Sequence, residues 1–311
     1  MKTLLRSARY SIVSVLFLIF FALPSGAQEP PRCRGDLQVR LSSQQTTQGS
    51  VVLATIHSVE ALESLSAEWD GKKIALWEVT TAAGSRRSSR MPTWDGLLGV
   101  DLEQRAGTYA LTVRAKNAAG RESACSVALV VKEGKFATEN LTVEKQFVDP
   151  DPQQLERVTS EQRKLRELFA LETPERFWRG PFRLPLTGVS KGTNFGRRRV
   201  LNGEPRPPHT GVDFPAPTGT SVHATQRGRV VFAGDLFFSG NTVVIDHGLG
   251  IYTLYGHLSK ITAQGQLVNA GFIVGKVGAT GRVTGPHLHW GLTIARAKVD
   301  PLQIVRLLKN P

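Results

Sequence analysis

The chain has 311 residues, enough for two domains of ordinary size. Its composition, 41% hydrophobic and 21% charged with no long low-complexity tract, is that of a globular protein whose core can form by burial, so no metal is needed merely to hold the fold. A formal charge of +13 directs attention to polyanions as partners.

Residues 1–27 read as a leader. Lys2, Arg6 and Arg9 form a positive start, Ile12 to Leu23 is almost wholly apolar, and Ser25-Gly26-Ala27 offers small residues for cleavage near Gln28. The apolar run is short for a span of about 20 residues. No cysteine follows the cleavage position directly, which argues against a lipoprotein. No other stretch is long and apolar enough to cross a membrane, so no integral span is expected after cleavage. Removing those three positive charges from +13 leaves +10. A periplasmic or secreted chain of that charge is expected to be drawn to anionic envelope polymers. A secreted chain without a base-reading motif argues against nucleic acid. Export also explains the cysteines: Cys33 and Cys125 are a well-separated pair, and an oxidising compartment predicts one disulfide between them. Closing so long a loop is worth roughly 4–5 kcal/mol in the chain-entropy account.

Residues 28–140 read as all-β. Alternation appears at Leu37, Val39 and Leu41 and again from Val51 to Ile56. Asp70-Gly71 between SLSAEW and KKIALWEV is a hairpin signal. Gly107-Thr108 opens YALTVRA, and Ala119-Gly120 leads into SACSVALVV. Short strands at regular spacing predict a β-sandwich, and the G-T-Y-A-L-T-V stretch resembles late strands of immunoglobulin-like domains. The segment 81–95 reads as a solvated loop carrying Arg86, Arg87 and Arg90.

Residues 141–181 form a predicted linker. Asp149-Pro150-Asp151-Pro152 breaks the strand pattern, after which Leu155, Val158, Leu165, Leu168 and Phe169 recur at helical spacing. One amphipathic helix ending before Thr173-Pro174 is expected, its apolar stripe packed on a domain. Residues 182–311 return to strand and turn in RGRVVFAG, NTVVIDHG and GIYTLYGHL, with a helix only in PLQIVRLL. The fold class is therefore mainly β: an N-terminal immunoglobulin-like sandwich, a linker helix and a C-terminal antiparallel β domain.

Six of the seven histidines fall in that last domain: His209, His223, His247, His257, His287 and His289. The seventh, His57, reads as structural. In G-P-H-L-H-W, His287 and His289 are two apart on a predicted strand and so share one face. In H-T-G-V-D-F, Gly211 is expected to let the chain bend, and Asp213 lies between Val212 and Phe214. A carboxylate among large apolar neighbours is costly to bury unless something pairs with it, and a metal ion would do so. One carboxylate and two imidazoles with an open fourth position is the catalytic zinc arrangement. Spacing alone leaves five candidates, His209, Asp213, His257, His287 and His289, without dividing ligands from proton-transfer groups. His247 reads as structural, and His223 as exposed or packing.

H-T-G-V-D, T-L-Y-G-H-L and G-P-H-L-H-W, in this order and spacing, resemble the motifs of the lysostaphin/LytM-type zinc metallopeptidases. N-F-G-R at 194–197, G-R-V-V-F-A-G at 228–234 and V-I-D-H-G at 244–248 extend the resemblance over about residues 190–303. It implies an antiparallel β metallopeptidase domain that cleaves peptide cross-links of bacterial peptidoglycan, with peptide stems as substrate. It implies one Zn²⁺ held by His209, Asp213 and His289, with His257 and His287 as non-ligand catalytic histidines. No member of the set is missing, whereas degenerate members that lose ligands act as activators. There is no His-Glu-x-x-His helix and hence no glutamate base of that kind. A histidine with a pKa near 6.5 can take the proton of water instead. Asn194 and Arg197 are candidate substrate contacts, with a structural salt bridge the alternative for Arg197. Two other functions stay open at this point: a non-catalytic envelope factor that activates another hydrolase, and a general secreted protease.

Overall fold

The computed structural model describes residues 33, 37–79, 92–189 and 192–309, arranged as two β units joined by one long helix. The expected leader and Arg86, Arg87 and Arg90 lie outside the described residues. In the first unit the strand Val51–Ser58 buries Val52, Ala54 and Ile56, and Gly107–Asn117 buries Leu111, Val113 and Ala115. This two-residue alternation sends one face of each sheet into a shared core with Trp69 and Leu129. The hairpin at Asp70-Gly71 forms as expected, with φ of 51° and 69° at its two residues. Two successive left-handed residues are what a tight hairpin turn needs. Cys33 and Cys125 are disulfide-bonded, with Cα atoms 4.7 Å apart, and tie the start of the unit to the strand Glu122–Lys132.

The helix Pro152–Ala170 begins where the sequence signals it. The Asp151 side chain accepts from the Gln154 backbone N–H, the Gln154 side chain answers the Asp151 N–H, and Pro152 starts the helix where no donor is needed. Among its residues only Val158 is fully buried. Polar ties to the second unit supplement that thin stripe. Arg157 pairs with Asp235 at 2.7 Å, Glu161 accepts from the Phe237 backbone N–H at 2.7 Å, and Phe169 meets the Tyr252 ring at 5.5 Å. No helix among the described residues is long and apolar enough to cross a membrane.

Ahead of that helix, at the predicted boundary between sandwich and linker, the strand Thr138–Leu141 pairs in parallel with Arg198–Leu201 of the second unit. The chain is thus fastened to the second unit before the linker helix begins.

The second unit is built on an antiparallel sheet whose central run is Gly211–Pro215, His287–Ile294, Ile251–Ile261, Gly240–Gly248 and Gly228–Leu236. Phe214, Ile245, Tyr255, Leu288 and Trp290 fill its core. A separate apolar cluster joins the two units. There Val51 and Leu97 of the sandwich meet Trp178, Phe182, Ile251 and Ile294.

His247 is fully buried in this unit, as a structural role requires. Its Nδ1–H donates to the Arg227 carbonyl at 2.9 Å, so its Nε2 is the acceptor facing Thr253 Oγ1 at 2.8 Å. Burial, only partly offset by the Arg227 hydrogen bond, pushes its pKa from 6.5 down to about 4. The folded chain therefore resists a proton that the unfolded chain accepts. The resulting stability is complete above about pH 6.5 and is lost as pH falls towards 4, by roughly 2 kcal/mol between about pH 7 and about pH 5. Denaturant titrations at these two pH values should show a loss of at least that size, and His247→Gln should reduce it by about that amount. An unchanged slope in the variant would remove His247 as its source.

Candidate metal centre

Strand pairing brings the motifs together. Asp213 stands directly opposite His289 on the neighbouring strand, and Gly256 opposes His289 from the other side, which puts His257 beside the pair. Alternation decides which way each side chain points. Val212, Phe214, Leu288 and Trp290 are buried in the core. Asp213, His287 and His289 project from the opposite face.

His209 precedes the first of these strands and is locked by backbone bonds to the 194–197 turn: its N–H donates to the Arg197 carbonyl and its carbonyl accepts from the Gly196 N–H. Its ring Nδ1 donates to the Asn194 carbonyl at 2.9 Å. Because a carbonyl only accepts, the proton of the neutral ring is on Nδ1 and Nε2 carries a lone pair. That Nε2 lies 3.1 Å from Asp213 Oδ1 and 2.8 Å from His289 Nδ1, and His289 Nδ1 lies 3.0 Å from the same oxygen.

One proton on His289 Nδ1 can satisfy only one of these two neighbours, so lone pairs remain pressed together. A cation removes that conflict. The separations also approach the edge of about 3.3 Å that a tetrahedral site with bonds near 2.0 Å would have. These three residues offer one metal-binding atom each, all within 4.8 Å of one another. Their protonation suits the task. Burial pushes the His289 pKa down to about 4, against the pull of Asp213, and keeps the ring neutral. Burial opposes ionisation of Asp213, but the close polar contacts of His209 and His289 outweigh it and hold the carboxyl well below the usual carboxylate range. Neutral imidazoles and an ionised carboxylate are the forms that bind metal.

His257 and His287 flank this centre, their rings 4.8 Å apart. Nδ1 of His257 donates to the Thr280 carbonyl and that of His287 to the Gly285 carbonyl, both at 2.8 Å. Each neutral ring therefore keeps Nε2 as its basic atom, that of His287 being 3.7 Å from Asp213 Oδ1. His257 has φ of 62° and Asn194 φ of 77°, a left-handed backbone uncommon outside glycine. At Asn194 this turn is where the carbonyl that orients His209 is presented.

Gly211 has a role that differs from the expected bend. It lies in a regular strand opposite Gly291, and a Cβ there would sit 2.6 Å from His289 Cε1 and 2.7 Å from the Trp290 carbonyl oxygen. The glycine is what makes room for the His289 ring.

The centre opens on a cleft of about 390 Å³ whose lining includes Phe147, Val148, Leu155 and Val158 from the linker. A smaller recess of about 90 Å³ is lined by Asn194, Asp213, His257, His287, Arg199 and Arg282. Asn194 thus lies at the site as expected. Arg197 lines neither space and pairs with Glu139 at 3.2 Å. Arg199 and Arg282, which sequence reasoning passed over, line both. The run R-R-R at 197–199 signalled a cationic strand edge without revealing which member faces inward. Of the other histidines, His57 bonds Thr93 in the first unit, and the His223 ring nitrogen lies 3.4 Å from the Pro185 carbonyl.

Residues 207–301, which enclose all five polar side chains of the centre, match the model of Peptidase family M23. The chain is 46% identical over 97 residues to the DD-carboxypeptidase/endopeptidase Mpg of Neisseria meningitidis, an alignment spanning 31% of this chain and 22% of that protein. It is 43% identical over 113 residues to the peptidoglycan DD-endopeptidase ShyA of Vibrio cholerae, spanning 36% of this chain and 26% of that one. The chain therefore spans only about a quarter of the length of these relatives. A solved Pseudomonas aeruginosa structure, described as a candidate M23 peptidase, is 30% identical, with a TM-score of 0.57 over 83% of this chain and 94% of that one. Since that likeness runs through the sandwich and linker as well as through the matched domain, the chain as a whole belongs to peptidase family M23.

Proposed function

We propose that this chain is an exported zinc metalloendopeptidase that hydrolyses peptide cross-links of bacterial peptidoglycan. The observation that carries the reading is the division of five clustered side chains into two groups. His209, Asp213 and His289 converge on one point, while His257 and His287 stand beside it with their Nδ1 protons already engaged. The peptidoglycan endopeptidase activity named for ShyA supports the substrate class, and the leader pattern of residues 1–27 supports export.

Zinc held by His209, Asp213 and His289 would supply a Lewis acid for the scissile carbonyl and acidify water there. The remaining steps belong to the chain. The Asn194 carbonyl keeps His209 in the tautomer that leaves Nε2 free to bind metal. His257 and His287 present Nε2 as base to the attacking water and, once protonated, as acid to the departing amine. The carbonyls of Thr280 and Gly285 hold the two rings in register for this exchange.

The purified zinc-loaded chain should release muropeptides from isolated sacculi, stop doing so with chelator, and leave casein intact. Failure on sacculi would end the peptidase reading, and digestion of casein would favour a general protease. Three variants divide the labour. His289→Ala should lose both zinc and activity. His257→Ala should retain zinc, measured by metal analysis, while activity falls on the order of 100-fold or more. If His257→Ala emptied the site, the assignment of roles would be wrong. Gly211→Ala, which pushes a methyl group into the His289 ring, should weaken zinc affinity on the order of 10–100-fold without removing any donor.

A further inference from the structure

Among the described residues, those lining the larger cleft include four cations, Arg199, Arg206, Arg282 and Lys298, and no carboxylate. Two of the arginines have protein partners. Arg199 lies 3.2 Å from Glu139 and 3.9 Å from Asp213, and Arg206 lies 2.5 Å from Glu204 and donates to the Val148 carbonyl at 2.7 Å. Arg282 differs. The contact its guanidinium makes among the described residues is with the Phe238 ring, 4.5 Å from Cζ to the ring centre. Its backbone N–H is fixed to the Phe238 carbonyl at 2.8 Å, so the side chain is based on an ordered turn. Burial first, and then the charges of Arg199 and Arg206, push its pKa down to about 10, so it is still charged at neutral pH.

A half-buried guanidinium is costly without an anion, and crowding it with two more raises the cost. A guanidinium packed over an aromatic ring keeps its N–H edge for planar, two-point bonding to a carboxylate. The same residue lines the small recess with His257 and His287, where Glu139 is paired with Arg197 and Arg199 and Asp213 with the histidines, so a substrate carboxylate bound to Arg282 would lie next to the reacting amide. A metal ion at the nearby donor set adds positive charge and cannot satisfy Arg282.

On the peptidase reading above, we propose that Arg282, supported by Arg199 and Arg206, reads a free carboxylate on a residue flanking the scissile amide. The chemistry it would recognise is a peptide carboxylate beside the scissile amide, which an uncharged segment does not offer.

The test compares two cross-linked muropeptides that differ only in whether the diaminopimelate carboxylate is free or amidated. Binding to the full chain is measured first by calorimetry with chelator present, so the clamp is tested even if the chain proves to lack peptidase activity. Wild type should bind the free acid at least about tenfold more tightly than the amide, a difference ordinary for a charge-assisted pair. The preference should fall with rising salt. Arg282→Gln should bring the ratio close to one, and Arg282→Lys, which keeps the charge but not the fork, should leave an intermediate ratio. Arg206→Gln, on an exposed hairpin, provides a second reduction of the ratio should the Arg282 variants fold poorly by thermal melting. With zinc restored, the same ratios should appear in KM. Equal binding of the two ligands by wild type, or an undiminished ratio in every folded variant, overturns the clamp. Selective binding without hydrolysis of either ligand would instead overturn the peptidase reading and leave the clamp standing.

Discussion

The register between the strands Gly211–Pro215 and His287–Ile294 is the constraint on which the centre depends. It places Asp213 opposite His289 and, in the same stroke, sends Val212, Phe214, Leu288 and Trp290 into the core. Burying a large apolar side chain is worth about 1.5–3 kcal/mol. A slip by one residue would move these four side chains to the polar face and bury the histidines and the aspartate in their place. The energy that fixes the sheet therefore also fixes Asp213 against His289. With His209 held beside them by the 194–197 turn, three atoms able to bind a metal stand close together.

Around that sheet, backbone carbonyls do the fine positioning. Asn194, Thr280 and Gly285 each accept the Nδ1 proton of one histidine and so choose its tautomer. The left-handed conformations at Asn194 and His257 fall within this network. Such conformations cost on the order of 1–3 kcal/mol each and persist where the surroundings over-determine them. The Arg197 carbonyl and the Gly196 N–H, which both bond the backbone of His209, supply that surrounding here.

The first unit and the linker also shape the site. The apolar joint of Val51 and Leu97 with Trp178, Phe182 and Ile294 holds the sandwich against the second unit, and the strand Thr138–Leu141 binds it again from another side. The linker then lends Phe147, Val148, Leu155 and Val158 to the cleft wall. Apolar side chains from the linker and arginines from the second unit thus line the same cleft.

Much of this was legible in the sequence because it depends on short periods. The Asp70-Gly71 hairpin, the Asp151 cap with Pro152, and the shared face of His287 and His289 each follow from residues within a few positions of one another. Three short motifs, taken together, singled out the five side chains of the centre. What the sequence could not supply were contacts between residues distant in the chain. Gly211 looked like a hinge because nothing local shows that a ring 78 positions away needs its space. Nothing local marks Arg282, because its surroundings are set by Arg199, Arg206 and Phe238. Residue type and local period narrowed the chemistry to five candidate groups. Only the tertiary structure decided where their protons sit and which charges remain unpaired, because both depend on distances that strand pairing alone creates.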